Sequence, residues 1–155
     1  MGMAEIRIDE MAMGDYDEVA ALWETTEGVG LDEDSDCAEK VRLYLERNPG
    51  LSFVARLDGE LVGAVLCGYD GRRGYLHHLA VEKSCRQAGI GTALVDHCLA
   101  GLGAAGIIKC NIFLFGDNEL GSRFWCATGW NARRDLVLMQ KWTGQERESK
   151  TARSC

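Results

Sequence analysis

Apolar positions recur along the chain with two periods, and their alternation outlines the elements. Ile6 and Ile8 open a short alternating strand that ends near Met11. From Asp15 to Thr26, Tyr16, Val19, Ala20 and Trp23 fall at helical spacing. Asp15, Asp17 and Glu18 stand in the first turn of that segment, where carboxylates favour a helix start. Trp23 reads as a core anchor. A glycine-containing acidic loop over 27–34 leads to a second predicted helix over 35–47, stopped by Asn48-Pro49-Gly50. Leu51, Phe53, Ala55 and Leu57 alternate as a strand; Asp58-Gly59 is a hairpin turn, and Leu61 to Cys67 returns as a more buried strand. After a charged loop, Tyr75 to Val81 reads as a fourth strand.

The second half continues with a helix from about Gly89 to Leu102, where Ile90, Leu94, Val95, Cys98 and Leu102 keep the 3.6-residue period. Ile107 to Phe115 is a predicted strand, Asn118 to Thr128 a short helix, and Trp130 to Trp142 a closing strand. The order predicts one α+β domain over residues 1–142 built on a mixed sheet. Residues 143–155 are polar and are expected to fray.

Composition changes this picture only by exclusion. With 155 residues, 46% hydrophobic and 26% charged, the chain has globular proportions. The longest apolar run, Leu61 to Gly68, is far below the ~20 residues of a membrane helix. No basic-then-apolar leader is visible around Glu5, Asp9 and Glu10, so a cytoplasmic protein is expected. Seven cysteines form no Cys-x-x-Cys pair, a spacing that suits neither zinc nor a disulfide framework and points to reduced thiols. Net charge is -7, but residues 1–50 carry 14 acidic and four basic side chains and the remainder ten and 13. An acidic surface disfavours nucleic acid as a partner. The mildly basic second half suits a small anionic ligand, and the acidic first half suits a cationic one.

Chemistry concentrates where the fourth strand ends. Leu79-Ala80-Val81 is followed by Arg86-Gln87-Ala88-Gly89-Ile90-Gly91-Thr92, in which two glycines separated by one residue open a helix. Glycines there let backbone approach a ligand closely, and the first helical turn offers unpaired N–H groups at the positive end of the dipole. Such a turn can hold a pyrophosphate, with Arg86 as a charged donor, or be an ordinary helix start with a glycine hinge. Gly101-Leu102-Gly103-Ala104-Ala105-Gly106 matches the dinucleotide fingerprint by letter but follows a helix and precedes a strand, the reverse of the working context. No Gly-Lys-Ser or Gly-Lys-Thr occurs, so nucleotide hydrolysis is a poor reading.

The element order and two spaced motifs resemble the GNAT superfamily of N-acetyltransferases. Arg86-x-x-Gly89-x-Gly91 is similar to its central signature, and Asn118, Phe124-Trp125 and Gly129-Trp130 resemble a second block at the same spacing. The likeness spans roughly residues 5–142, and the 68–74 loop and Asn-Pro-Gly turn are similar to a bacterial YpeA-like subgroup. The resemblance implies a central, mostly antiparallel mixed sheet flanked by about four helices. It implies acetyl-CoA as cosubstrate, with no metal, and a small-molecule or peptide amine as acceptor. Backbone of Leu79, Ala80 and Val81 should bind the acetyl and pantetheine arm, residues Arg86 to Thr92 should cradle the pyrophosphate, and Asn118 should lie beside the pantetheine. Dimers are common in the superfamily, so a homodimer is an open expectation. Trp125 stands where many members have a tyrosine acid. Indole cannot protonate a thiolate in practice, so Trp125 either packs on the pantetheine arm or belongs to the core. Its presence also motivates an alternative reading, an acyl-CoA-binding regulatory or interaction module with little catalysis.

An amine must be neutral to attack a thioester, so a nearby base is useful. Regular alternation would put Tyr75, His77, Leu79 and Val81 on one face and Leu76, His78 and Ala80 on the other. In the arylalkylamine branch of the superfamily, histidines on this strand line the acceptor cleft, and the match falls on His77 and Tyr75. His77 is therefore the first candidate base, with a hydrogen-bonded structural histidine as the other reading; His78 is expected to be structural. Glu27, on the loop after the first helix, is the second candidate. Asp32, Glu33, Asp34, Asp36 and Glu39 read mainly as helix-start acids, with Asp36 and Glu39 as a capping pair.

Overall fold

A computed structural model describes residues 4–144. Five strands form one sheet in chain order: β1 (Ile6–Glu10), β2 (Phe53–Leu57), β3 (Glu60–Tyr69), β4 (Gly74–Val81) and β5 (Cys110–Ile112). The first four are antiparallel, and β5 joins β4 in parallel, so the sheet is mixed and mostly antiparallel as expected. The helices are α1 (Tyr16–Glu24), α2 (Glu33–Asp36), α3 (Ala38–Arg47), α4 (Ile90–Ala104) and α5 (Glu119–Ala127), five against the four expected.

Each face of the sheet carries its own core. One side packs Val65, Cys67 and Leu76 of the sheet against Leu94, Cys98 and Leu102 of α4 and Trp125 of α5. The other packs Val54, Ala64, Leu66 and Ala80 against Val19, Leu22 and Trp23 of α1 and Val41 of α3. Burial on both faces explains the near-continuous apolar run of β3. Trp23 is the buried anchor its spacing implied. Contact on the α4 side is close: a Cβ added at Gly74 would lie 2.5 Å from the Leu102 side chain, so a larger residue at the start of β4 would have to displace Leu102.

Five expectations are corrected. The helix expected over 35–47 is two helices, because Cys37 takes an extended conformation (φ -68°, ψ 161°) between α2 and α3. The Asp36–Glu39 capping pair therefore does not form; Asp36 turns inward, while Glu39 binds Arg42 on the surface at 2.6 Å. The strand expected over 107–115 shrinks to three paired residues. No strand follows β5 among the described residues, so the closing strand expected over 130–142 is absent there. Leu136 to Met139 are consecutive apolar residues without alternation, and all four are exposed. Of the polar tail 143–155, residues 145–155 lie outside the described set. Cys67, Cys85, Cys98, Cys110 and Cys126 carry free thiols, whereas Cys37 is disulfide-bonded, against the expectation of reduced thiols. No described helix is long and apolar enough to cross a membrane.

Candidate active site

The site begins where β4 and β5 part. Their pairing covers only Gly74–Leu76 against Cys110–Ile112, and β4 runs on to Val81 with no strand beside it on that edge among the described residues. Unpaired strand edges are templates for an extended ligand, whose amides can continue the ladder. Glu82 N donates to Val62 O at 2.7 Å on the β3 side. Antiparallel alternation therefore turns the N–H and C=O of neighbouring Val81 towards the open edge. Arg86 confirms that direction, its Nε donating to Val81 O at 3.0 Å.

Beyond β4 the chain makes a 3₁₀ turn (Lys83–Cys85) and enters α4 through two left-handed residues, Gln87 (φ 65°) and Gly89 (φ 80°). Glycine takes that conformation without cost. Gly89 is the N-cap of α4 and uses no side chain for capping, so the free N–H groups of the first turn, at the positive pole of a 15-residue helix, keep their donors available. Ile90 is buried against the sheet, which fixes the helix start relative to β4. Gly91 is constrained by packing instead, since a Cβ there would point at the Phe124 ring, 3.3 Å away, and at Val81. The edge, the loop and the helix start form one continuous strip from Leu79 to Thr92.

Asn118 and Trp125 sit on α5. Asn118 caps that helix, its Oδ1 accepting from Gly121 N at 2.9 Å, while its Nδ2 lies close over Gly28 in the loop after α1. Glu27, next to Gly28, is exposed and has no hydrogen bond or ion pair among the described residues. Trp125 is buried, with its ring edge-on to Phe124 at 5.0 Å and to Trp130 at 4.9 Å, which is the core alternative for this residue.

The histidines do not lie as regular alternation implies. Leu66 pairs with His77 and Ala64 with Ala80, so Val65 alone faces both His78 and Leu79. This is a β-bulge, and His78 occupies it with φ 54°, a region non-glycine residues rarely visit. Before the bulge, Leu76 points into the α4 core and His77 to the α1–α3 side; after it, Leu79 and Val81 point to α4 and Ala80 to α1–α3. His77 and Leu79 are therefore on opposite faces, a correction to the alternation. His77 and His78 both reach the α1–α3 side.

There the His77 ring lies among Tyr75 (6.4 Å, nearly parallel), Phe113 (6.4 Å) and Tyr44 (6.2 Å, edge-on). Tyr75 and Phe113 also stack, at 6.1 Å. Burial, and then the neighbouring His78, hold the His77 imidazole below the usual histidine range, against a weaker opposite pull from Asp36. His78 Nε2 lies 2.8 Å from Asp36 Oδ1, its carbonyl accepts from Trp23 Nε1 at 3.0 Å, and its ring meets Trp23 edge-on. Burial pushes the Asp36 carboxyl up, but hydrogen bonds from His78 and from Asp32 N–H, with the imidazole charges, bring it below the ordinary carboxylate range. Sequence reasoning gave Asp36 a capping role and left Phe113 out. Forty-two residues separate Asp36 from His78, and a bulge leaves no periodic trace.

This arrangement defines an α+β domain whose fourth strand offers an open edge leading into a glycine-opened helix. The sequence profile of the acetyltransferase (GNAT) family matches residues 16–125, and the chain belongs to that family. An acetyltransferase of Sodalis glossinidius is 36% identical over 105 residues, covering 68% of this chain and 72% of the relative. The fold is shared with AAC(6')-Iy in complex with the bisubstrate analogue CoA-S-monomethyl-acetylneamine, at a TM-score of 0.72 and 18% identity over 89% of this chain and 99% of that one. It is also shared with the PaiA N-acetyltransferase of Thermoplasma acidophilum in complex with coenzyme A, at 0.72 and 19% identity over 83% and 91%.

Proposed function

We propose that this protein is an N-acetyltransferase that moves an acetyl group from acetyl-CoA to a primary amine by direct attack within a ternary complex. The observation that carries the reading is the continuous strip made by the open edge of β4 and the glycine-opened start of α4. Leu79, Ala80 and Val81 would hold the acyl and pantetheine arm through backbone groups, and Arg86, Gln87, Ala88, Gly89, Ile90, Gly91 and Thr92 would hold the pyrophosphate. Asn118, which lies against Gly28, would sit beside the pantetheine, and the buried Trp125 would back it from the core. Bound acetyl-CoA supplies the thioester.

The chain's own residues then manage the amine. Glu27, exposed on the loop after α1, attracts a cationic acceptor. Tyr75 and His77 wall the acceptor side, and His77, neutral near pH 7, takes the proton that the ammonium must lose. Trp125 offers no proton, so the leaving thiolate takes one from water or from the amine itself. The acceptor is a small-molecule or peptide amine. The bisubstrate-analogue complex of AAC(6')-Iy and the sisomicin complex of a soil metagenomic aminoglycoside acetyltransferase support a small cationic amine as the first class to assay. The same reading carries with it a bacterial cytoplasmic location and the YpeA-like subgroup, and it leaves a homodimer open.

Calorimetry with acetyl-CoA, followed by thiol release over an amine panel, tests it. Binding with amine-dependent thiol release is expected. A folded protein that binds no acetyl-CoA overturns the reading.

A further inference from the structure

The β4 bulge is held from outside the sheet. His78, in its left-handed conformation, is anchored at both ends: its carbonyl accepts from Trp23 Nε1 of α1, and its Nε2 pairs with Asp36 Oδ1 of α2. Both side chains of the pair are largely buried, 15% and 12% exposed. Asp36 is in turn fixed in place. Its second oxygen accepts from Asp32 N at 2.8 Å, and its carbonyl accepts from Tyr16 OH at 2.8 Å.

The bulge decides which face each functional residue occupies. The β3–β4 register past the bulge is set by Ala64–Ala80 and Gly63–Val81, so Leu79 and Val81 stay on the α4 side. Were β4 straightened at His78 with that register kept, every residue before it would change face, because side chains alternate with period two. His77 and Tyr75 would leave the acceptor side. Straightening is what a non-glycine residue at φ 54° favours unless something opposes it.

We propose that Asp36 latches the β4 bulge through His78, and so acts as a positioning residue that keeps His77 on the acceptor side of the sheet. The latch comes from α2, in the segment that joins α1 to α3, so the geometry of the acceptor side depends on how that segment docks. The inference deepens the acetyl-transfer reading and rests on it for its kinetic consequence, but not for its structural one.

The test uses the full chain with Asp36→Ala, Asp36→Asn, His78→Gly and the double variant Asp36→Ala/His78→Gly. Two quantities are read: kcat and KM with the best amine of the panel, and the placement of the His77 ring, from its NMR cross-relaxation contacts with the Tyr44 ring without ligand. Those contacts report position, whereas the His77 chemical shifts also answer to the loss of the His78 ring and of the Asp36 charge. Asp36→Ala is expected to lower kcat by about tenfold or more, as small misplacements at a reacting centre do. Its acetyl-CoA affinity should hold, and its His77–Tyr44 contacts should be lost. Asp36→Asn keeps an acceptor for His78 Nε2–H and should keep most of the turnover. Glycine takes φ 54° without strain, so His78→Gly should keep the His77–Tyr44 contacts, and adding it to Asp36→Ala should restore the turnover.

Wild-type kcat and intact His77–Tyr44 contacts in Asp36→Ala would overturn the latch, as would a double variant no better than Asp36→Ala. Should Asp36→Ala fail to fold, His78→Gly decides: intact His77–Tyr44 contacts support the latch, and lost ones overturn it. A wild-type protein that acetylates no amine defeats the acetyl-transfer reading, and the ring contacts still judge the latch.

Discussion

Arg86 folds back on the strand that precedes it, its Nε donating to the Val81 carbonyl at 3.0 Å. That bond ties the open edge of β4 to the entrance of α4, and the remaining guanidinium nitrogens make no hydrogen bond or ion pair among the described residues. Arg86 is thus placed to serve both halves of the strip. Arg86→Ala is expected to weaken acetyl-CoA binding by about ten- to a hundredfold, the range of a charge-assisted hydrogen bond. The melting temperature should stay close to wild type because the side chain is exposed. Calorimetry beside a thermal melt checks both.

Gly91 and Gly89 differ in what they are for. The Cβ direction at Gly91 faces Phe124 and Val81, so a large residue there strikes the packing of α5 and β4 before it meets any ligand. Gly91→Leu is expected to destabilise the fold by about 1–3 kcal/mol through overpacking, read by urea denaturation. A fully stable variant with lost acetyl-CoA affinity would instead show that the side chain enters the pyrophosphate cradle. Gly89 has open space around its Cβ direction but φ 80°, so Gly89→Val costs backbone strain at the N-cap of α4 rather than a clash.

His77 gives the fold a pH dependence of definite sign. Its folded pKa lies below the ordinary 6.5, chiefly through burial, so below about that pH the unfolded chain binds more protons than the folded one. Its contribution to stability is therefore complete above pH 6.5 and is lost as pH falls from there through the lowered folded value. Asp36 adds a second loss at lower pH, below its ordinary 3.8, because its carboxyl is also held down in the fold. Urea midpoints between pH 7.5 and 5 should fall for wild type, and more gently for His77→Gln. Parallel curves for the two proteins would contradict the assignment.

What the sequence made legible followed from local pattern. Val19 and Trp23 on α1, and Leu94, Cys98 and Leu102 on α4, are buried as their spacing implies. The helix start at Gly89 was likewise readable, since glycine at a left-handed N-cap is a local requirement. What escaped was non-local. The face of His77 depends on one unmatched residue between β3 and β4, and period-two reasoning makes no allowance for a bulge. The break at Cys37, which frees Asp36 to turn inward, is offset by partners on α1 and β4 that lie far away in sequence. The 130–142 segment has strand-forming residues, but Leu136 to Met139 are exposed and pair with no strand among the described residues.

The amine's proton is the last point the geometry bears on. His77 is walled by Tyr75, Phe113 and Tyr44, and its ring makes no hydrogen bond among the described residues, so both nitrogens remain available for exchange with an acceptor or a water. His78, by contrast, is committed to Asp36. The lowered pKa keeps His77 neutral through the physiological range, which makes it ready to accept a proton, although it holds that proton weakly. Turnover should therefore persist as pH falls towards 6.5 and decline only below it, as His77 becomes protonated. His77→Gln is expected to lower kcat by about 10²–10⁴-fold and to abolish that acid limb, with KM for acetyl-CoA little changed. If His77→Gln keeps both its turnover and its acid limb, the proton leaves by another route, and Glu27→Gln becomes the variant to measure.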